Sequence, residues 1–234
     1  MLTPSEPFRH RTKEDYAYDV LRSAILRCEM KPGDRIVIDT LSAQLGISPI
    51  PLRAALQRLQ ADGLVEITPH TGAVVSELSP ANIEQVSFIL ERLELMGFEL
   101  AALRAGAADI AALRDILDTM DAVLQAGDNE RWSELNAEFH CAIAGLAGNK
   151  LLAEFTARTL ADWNRLRRWY LADVEMQLSQ AQAEHRAMVD SLARRDLSGL
   201  QHLIYDHHQR IRELHRHAVA ALMPPGAGDG RSAP

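Results

Sequence analysis

The sequence predicts a mainly α-helical protein made of an N-terminal winged helix-turn-helix and a C-terminal, all-helical antiparallel bundle. All ten prolines lie outside residues 81–223, and this stretch can form long helices because proline breaks a helix interior. Aromatic residues are only 5% of the 234-residue chain, which favours helix over β-sandwich. We therefore expect the winged domain at 14–79 and the bundle at 80–222, with disordered segments at 1–13 and 223–234.

The first domain reads as helix, strand, helix, tight turn, helix and hairpin. An apolar stripe that begins at Tyr16 predicts a helix over about 14–29. Asp39 or Thr40 is expected to cap a second helix at 41–45 that Gly46 ends, and Ser48 to cap a third helix that ends near residue 63. The predicted strands are Arg35–Ile38, Leu64–Thr68 and Ala73–Ser76, with a hairpin turn at 69–72. This order of elements is typical of a helix-turn-helix with a wing.

The second domain reads as helices separated by short breaks, such as Gly106 and Gly148-Asn149. Because the joining loops are short, we expect neighbouring helices to run antiparallel. The six predicted helices lie at about 81–105, 107–126, 129–147, 150–173, 175–195 and 197–222.

Composition and charge limit the function classes. A net charge of −7 argues against a strongly basic, non-specific nucleic-acid binder but not against a sequence-specific one. Cys28 and Cys141 cannot form a disulfide framework, so a reducing, cytoplasmic location is expected. No apolar run approaches the roughly 18 residues of a membrane span, and we expect no membrane partner.

The third predicted helix has a polar face that suits base recognition in the DNA major groove. The inward stripe is Leu52, Ala55, Leu56 and Leu59. The residues left exposed are Arg53, Gln57, Arg58 and Gln60. Arginine reads guanine and glutamine reads adenine through paired hydrogen bonds. An ordinary solvated helix face is the alternative, and the adjacent wing favours the DNA-binding interpretation.

Three histidines fall on the apolar sides of different helices. His185 is central in its apolar arc, His207 lies inside its own, and His140 follows Asn136 by one helical turn. His208 falls at the edge of its arc. Imidazoles converging from three helices suit a divalent transition metal. The alternative is three unrelated histidines that bond to carboxylates or carbonyls.

Residues 32–75 resemble the winged helix of GntR-family bacterial transcription regulators. The resemblance rests on Pro32-Gly33-Asp34-Arg35, the segment 41–48, the segment 51–59, Asp62-Gly63-Leu64-Val65 and Gly72-Ala73-Val74-Val75. The family usually has Ser-Arg-Thr-Pro where this chain has Ser48-Pro49-Ile50-Pro51, and an arginine at the place of Thr71. The DNA contacts that the resemblance implies are Ser48, Arg53, Gln57 or Arg58, and the wing residues His70, Thr71 and Gly72.

Residues 81–222 resemble the FCD effector domain of the FadR-like GntR subfamily, in its six-helix, VanR-like branch. The stretches that carry the resemblance are 136–140, Gly148-Asn149, 184–188 and 193–196. The resemblance implies metal ligands at Asn136, His140, His185 and His207, with zinc, nickel or manganese as the metal. The first position is usually aspartate, so asparagine is expected to weaken the site.

The resemblance further implies a homodimeric repressor that binds an inverted-repeat operator and a small, carboxylate-bearing metabolite. Many members carry an arginine where this chain has Leu90. We expect Arg167 to supply that charge, with Trp163 and Tyr170 lining an apolar pocket, although both aromatics also suit core packing. Two further alternatives are a metal-free regulator whose histidines bond the effector directly and a metal-dependent enzyme. No HExxH motif is present, and we expect no enzyme.

Overall fold

The structure is a computed structural model that describes residues 12–68, 72–170 and 177–222. The chain divides between Ser79 and Pro80 into two compact units. Within the described ranges, no helix is long and apolar enough to cross a membrane.

The first unit is a helix-turn-helix with a wing, in agreement with the predicted fold class. Its antiparallel sheet has the strand order β1-β3-β2, with Thr68 paired to Gly72 at the hairpin. The core holds the apolar faces of all three helices, including Leu21, Leu52 and Leu59. The elements are α1 (Lys13–Leu26), β1 (Arg35–Ile36), α2 (Ile38–Leu45), α3 (Pro49–Ala61), β2 (Val65–Thr68) and β3 (Gly72–Val75).

Two helix starts in the first unit differ from the sequence prediction. Helix α1 begins at Lys13, because Thr12 and Asp15 form a capping box, so residue 13 does not belong to a disordered segment. Helix α2 begins at Ile38 after the extended residue Val37. Neither Asp39 nor Thr40 caps this helix, and β1 is correspondingly shortened to two residues. Asp39 instead lies in the first turn of α2, where its charge complements the helix dipole.

The turn between α2 and α3 follows the expected chemistry. Gly46 adopts a left-handed conformation with a φ of 66° and ends α2. Ser48 occupies the N-cap position of α3 as predicted, but its side chain makes no capping hydrogen bond. Pro49 lies in the first turn of α3, where a missing N–H has no cost.

The second unit is an all-helical bundle, as predicted. Its core is centred on large apolar side chains such as Phe98, Leu117, Phe139 and Met188. Helix α4 packs against α6, α7 and α9, and α8 packs between α5 and α9. The helices are α4 (Pro80–Arg104), α5 (Ala107–Gln125), α6 (Asn129–Leu146), α7 (Lys150–Tyr170), α8 (Leu178–Arg194) and α9 (Leu197–Leu222). The predicted end at 173 lies outside the described residues, and the predicted start at 175 is too early because Gln177 is the residue that precedes α8 as its N-cap.

Candidate functional site

Helix α3 presents a polar face on the first unit. Ser48, Arg53 and Gln57 are exposed, and Arg53 and Gln57 are one helical turn apart. Gly72, which begins β3, is also exposed. The predicted wing residues His70 and Thr71 lie outside the described residues.

Arg58 is placed differently from the other predicted contacts on α3. Its Nη1 donates to Asp15 Oδ1 at 2.8 Å and to Glu14 Oε1 at 3.2 Å, both on α1. The guanidinium also lies 4.1 Å from the ring centroid of Tyr18. Hydrogen bonds from Arg58 and Thr12 hold the pKa of Asp15 at about 2. Arg58 therefore joins α1 to α3, while Arg53 has an exposed side chain.

The second unit brings the predicted histidines together in its interior. His140 on α6, His185 on α8 and His207 on α9 are all buried. The ring centroid of His185 lies 5.1 Å from that of His140 and 5.1 Å from that of His207. Neither ring nitrogen of His185 has a hydrogen-bond partner. Asn136 is half-buried one turn before His140.

Two carboxylates face this histidine cluster from the surrounding helices. Glu94 on α4 accepts a hydrogen bond from His208 Nε2 at 2.8 Å, and its other oxygen lies 3.1 Å from His140 Nδ1 without hydrogen-bond alignment. Glu184 on α8 lies 2.5 Å from His207 Nδ1. Because His207 Nδ1 bonds a carboxylate, its Nε2 is left as the nitrogen with a free lone pair.

Burial favours the neutral form of the clustered histidines. Burial lowers the pKa of His140 and of His208 to about 4, and burial lowers the pKa of His185 well below its usual value. Burial by itself raises the pKa of Glu184, but hydrogen bonds from His207 and Arg210 outweigh it and hold that pKa at about 2. A neutral imidazole is the form that binds a metal ion.

Two adjoining cavities open beside the cluster. The inner cavity, with an empty volume of about 310 Å³, is lined by Glu94, His140 and His208. The outer cavity, of about 490 Å³, is lined by Arg167 and Arg210. Both cavities share the wall residues Asn136, Trp163, His207 and Ile211. His185 lines neither cavity, and neither does the predicted pocket residue Tyr170.

The arrangement falls short of an assembled metal centre. Among the residues that the structure describes, no three His, Cys, Asp or Glu side chains form a group that could hold a metal ion. The rings of the three histidines pack against one another, and Asn136 lines both cavities together with His207.

Sequence reasoning missed two residues of this site. His208 was predicted at the edge of its apolar arc, but it is buried against Glu94. Glu94 itself follows Leu90 and precedes Phe98 on one stripe of α4. A carboxylate inside an otherwise apolar helical stripe was the available signal.

Comparisons with known proteins match both units. The profile of bacterial regulatory proteins of the gntR family matches residues 13–75, and the FCD domain profile matches residues 85–210. A transcriptional regulator of the TAR-I ttuE–ttuC′ intergenic region of Agrobacterium vitis is 35% identical over 56% of this chain and 78% of its own length. The Escherichia coli transcriptional repressor RspR is 25% identical over 91% of this chain and 90% of its own length.

Solved structures share the fold. The E. coli McbR/YncC structure superposes with a TM-score of 0.75 at 23% identity, covering 88% of this chain and 99% of that one. A putative regulator from Rhodococcus gives a TM-score of 0.73 at 19% identity, covering 90% and 99%. The matched relatives are transcriptional regulators, which confirms that the chain is not an enzyme.

Proposed function

The chain belongs to the GntR family of bacterial transcriptional regulators with an FCD domain, and from that premise we propose that it is a homodimeric repressor. Its operator affinity is set by a small carboxylate metabolite bound beside a divalent metal in the helical unit. The protein acts on DNA and hence in the cytoplasm. The name of RspR, a repressor that aligns with 91% of this chain, supports repression.

The DNA-binding face centres on Arg53 and Gln57. Both are exposed on α3, the second helix of the helix-turn-helix, which enters the major groove in this class of fold. Ser48 at the start of α3, together with His70, Thr71 and Gly72 of the wing, completes the proposed contacts. Arg58 is a weaker candidate for base contact because a base would have to displace Glu14 and Asp15.

The metal site is carried by one observation, the spacing of the buried imidazoles. A metal–nitrogen bond of about 2.1 Å puts a ring centroid roughly 3.2 Å from the metal. Two rings in adjacent tetrahedral or octahedral positions then lie roughly 4.5–5.2 Å apart. The two centroid distances of 5.1 Å from His185, to His140 and His207, fall in this range.

The residues fit a metal ion in two further respects. His185 buries two ring nitrogens without a partner, an arrangement that is costly unless something binds one of them. Glu184 holds His207 so that Nε2 carries the lone pair, and Asn136 adds a carbonyl oxygen. Three imidazoles with one oxygen suit zinc, nickel or manganese. A metal held by neutral ligands keeps its positive charge and attracts a carboxylate.

The effector pocket is the pair of adjoining cavities. Asn136 and His207 line both of them, so a molecule in either cavity lies next to the proposed ligands. Trp163 contributes apolar wall and Arg167 a cation. Tyr170, the last residue of α7, lines neither cavity and is left out of the proposed pocket.

The homodimer is supported by an apolar face on α4 and α7, which pack side by side. Phe88, Ile89 and Met96 on α4 are 47–54% exposed, and Leu151 and Phe155 on α7 are 55–64% exposed. Large exposed apolar side chains on two helices that pack together are typical of an interaction surface. A second copy is the partner that an inverted-repeat operator requires.

Repression is relieved by population shift: the effector binds one arrangement of the two DNA-binding units better than the other.

Metal content tests the proposed metal site. Protein purified without an affinity tag should carry about one zinc, nickel or manganese ion per chain by elemental analysis, and His185→Ala should carry almost none. His202→Ala is the matched control, because His202 is exposed and bonds only a carbonyl of its own helix. Equal metal content in wild type and His185→Ala would refute the site.

A metal-free regulator is the second candidate, favoured by the lack of an assembled metal-binding group among the described residues. In that case the imidazoles of His140 and His207, which line the inner cavity, bond the effector directly. Metal-free wild-type protein that still leaves its operator when effector is added would establish this alternative.

A further inference from the structure

We propose that the outer cavity is a binding subsite for a second anionic group of the effector, with Arg167 and Trp132 as its donors. The effector is then a molecule with a carboxylate at each end of an apolar spacer. This inference rests on the proposed function for the location of the first carboxylate, beside His207, and it adds the class of molecule that the pocket takes.

The outer cavity contains hydrogen-bond donors without acceptors. Trp132 is buried and its Nε1 has no partner. Arg167 is likewise mostly buried, and its Nε has no partner. Both residues line the outer cavity. Buried donors in this state are costly, and two of them in one cavity wall call for a ligand that brings acceptors.

The existing partner of Arg167 is weak. Its Nη2 lies 3.4 Å from Glu130 Oε2, whereas Arg168 Nε bonds the other oxygen of Glu130 at 2.8 Å. Glu130 is half exposed, and ion pairs to exposed carboxylates contribute little. Arg167 therefore keeps most of its charge and hydrogen-bonding capacity for a ligand.

The other cation of the outer cavity is already engaged. Arg210 donates to both oxygens of Glu184, at 2.8 and 2.5 Å. Such a fork of paired hydrogen bonds is strong and fixed in geometry. An anion in the outer cavity is therefore bound at Arg167 in preference to Arg210.

The inner cavity offers no comparable cation. Its described lining contains the carboxylate of Glu94 and no lysine or arginine. A second anionic group is consequently unfavourable there. The wall between the two ends includes Trp163 and Ile211, which suits an apolar spacer.

The test compares ligands of equal length with one and two carboxylates. Titration calorimetry on the full chain, as purified and again after chelation, would use adipate against hexanoate and suberate against octanoate. We expect wild type to bind at least one dicarboxylate about 10- to 100-fold more tightly than its monocarboxylate partner, the range for a charge-assisted hydrogen bond.

Three variants assign the preference to the proposed donors. Arg167→Gln should abolish the preference for two carboxylates, and Trp132→Phe, which removes only the N–H, should reduce it several-fold. Glu130→Gln should strengthen it by releasing Arg167. The control is Arg114→Gln, on a surface pair with Asp190 that lines neither cavity, and it should change nothing.

Equal affinity for both members of each ligand pair, no binding of either dicarboxylate, or a preference that survives in Arg167→Gln would overturn the inference. Failure of the metal site gives a different result. Metal content would then be absent in wild type, while the preference and its loss in Arg167→Gln would persist in the chelated protein.

Discussion

Replacing His185 by leucine should change the stability of the helical unit in opposite directions with and without metal. His185 is completely buried, and both ring nitrogens lack a partner. In chelated protein the variant removes these unpaired atoms and keeps a side chain of similar volume. In metal-loaded protein it removes the proposed ligand that lies between His140 and His207.

The magnitudes separate the two cases. An unsatisfied buried polar group costs about 1–3 kcal/mol, and an imperfect apolar fit costs less than about 1.5 kcal/mol. Chelated His185→Leu should therefore unfold at the wild-type temperature or a few degrees higher. Metal at a hundredfold excess over Kd stabilises wild type by about 2.7 kcal/mol, which is roughly 5–11 °C for a chain of this size.

Differential scanning calorimetry with zinc and with chelator measures both effects. Wild type should gain those degrees on zinc addition, and His185→Leu should gain none. His202→Leu is the control and should respond like wild type. A variant that is destabilised equally in zinc and in chelator would refute the reasoning, because His185 would then act by packing alone.

Four other perturbations test separate parts of the molecule. Arg53→Ala should weaken operator binding by about 1–3 kcal/mol in a salt-matched gel-shift titration, while Gln60→Ala, also exposed on α3, should bind like wild type. Phe155→Glu should shift the protein from dimer to the 26.0 kDa monomer in sedimentation at micromolar concentration, and an intact dimer would argue against the α4–α7 face. Asn136→Asp should tighten zinc binding in a chelator competition, because it restores an anionic ligand. The pKa of Asp15 is about 2 in the folded protein, against an ordinary value of 3.8. The Asp15 carboxylate therefore stabilises the fold above about pH 4, and this stabilisation is lost as the pH falls towards 2. In acid-unfolding measurements, Asp15→Asn should make the free energy of unfolding depend less on pH over that range.

The architecture followed from the sequence because its signals are local. Proline placement, glycine breaks and apolar periodicity act within one or two helical turns. The bounds of α4, α5 and α9 were accordingly predicted to within one residue. The start of α2 was predicted three residues too late, also for a local reason. The extended residue Val37 and the first helical residue, Ile38, belong to the same apolar run, which was predicted as strand.

The histidine cluster was predictable in part for the same reason. Helical phase alone put His185 and His207 on buried faces, and the structure agrees. Helical phase cannot say which carboxylate meets which imidazole, because the partners are brought together by tertiary packing. Glu94 and His208 are 114 residues apart in the chain, and no periodicity links them.

The pairing of the carboxylates also indicates which imidazole depends most on a ligand. His207 is held by Glu184, and His208 by Glu94. His140 lies within 3.1 Å of that same Glu94. His185 alone among these four has neither a carboxylate contact nor any hydrogen bond from its ring.

Protein contacts therefore fix the ring of His207 before a metal binds, whereas the orientation of the His185 ring is set by packing against Trp132 and Phe139. Among the proposed ligands, His185 is therefore the one whose ring nitrogens depend on a bound metal for a partner.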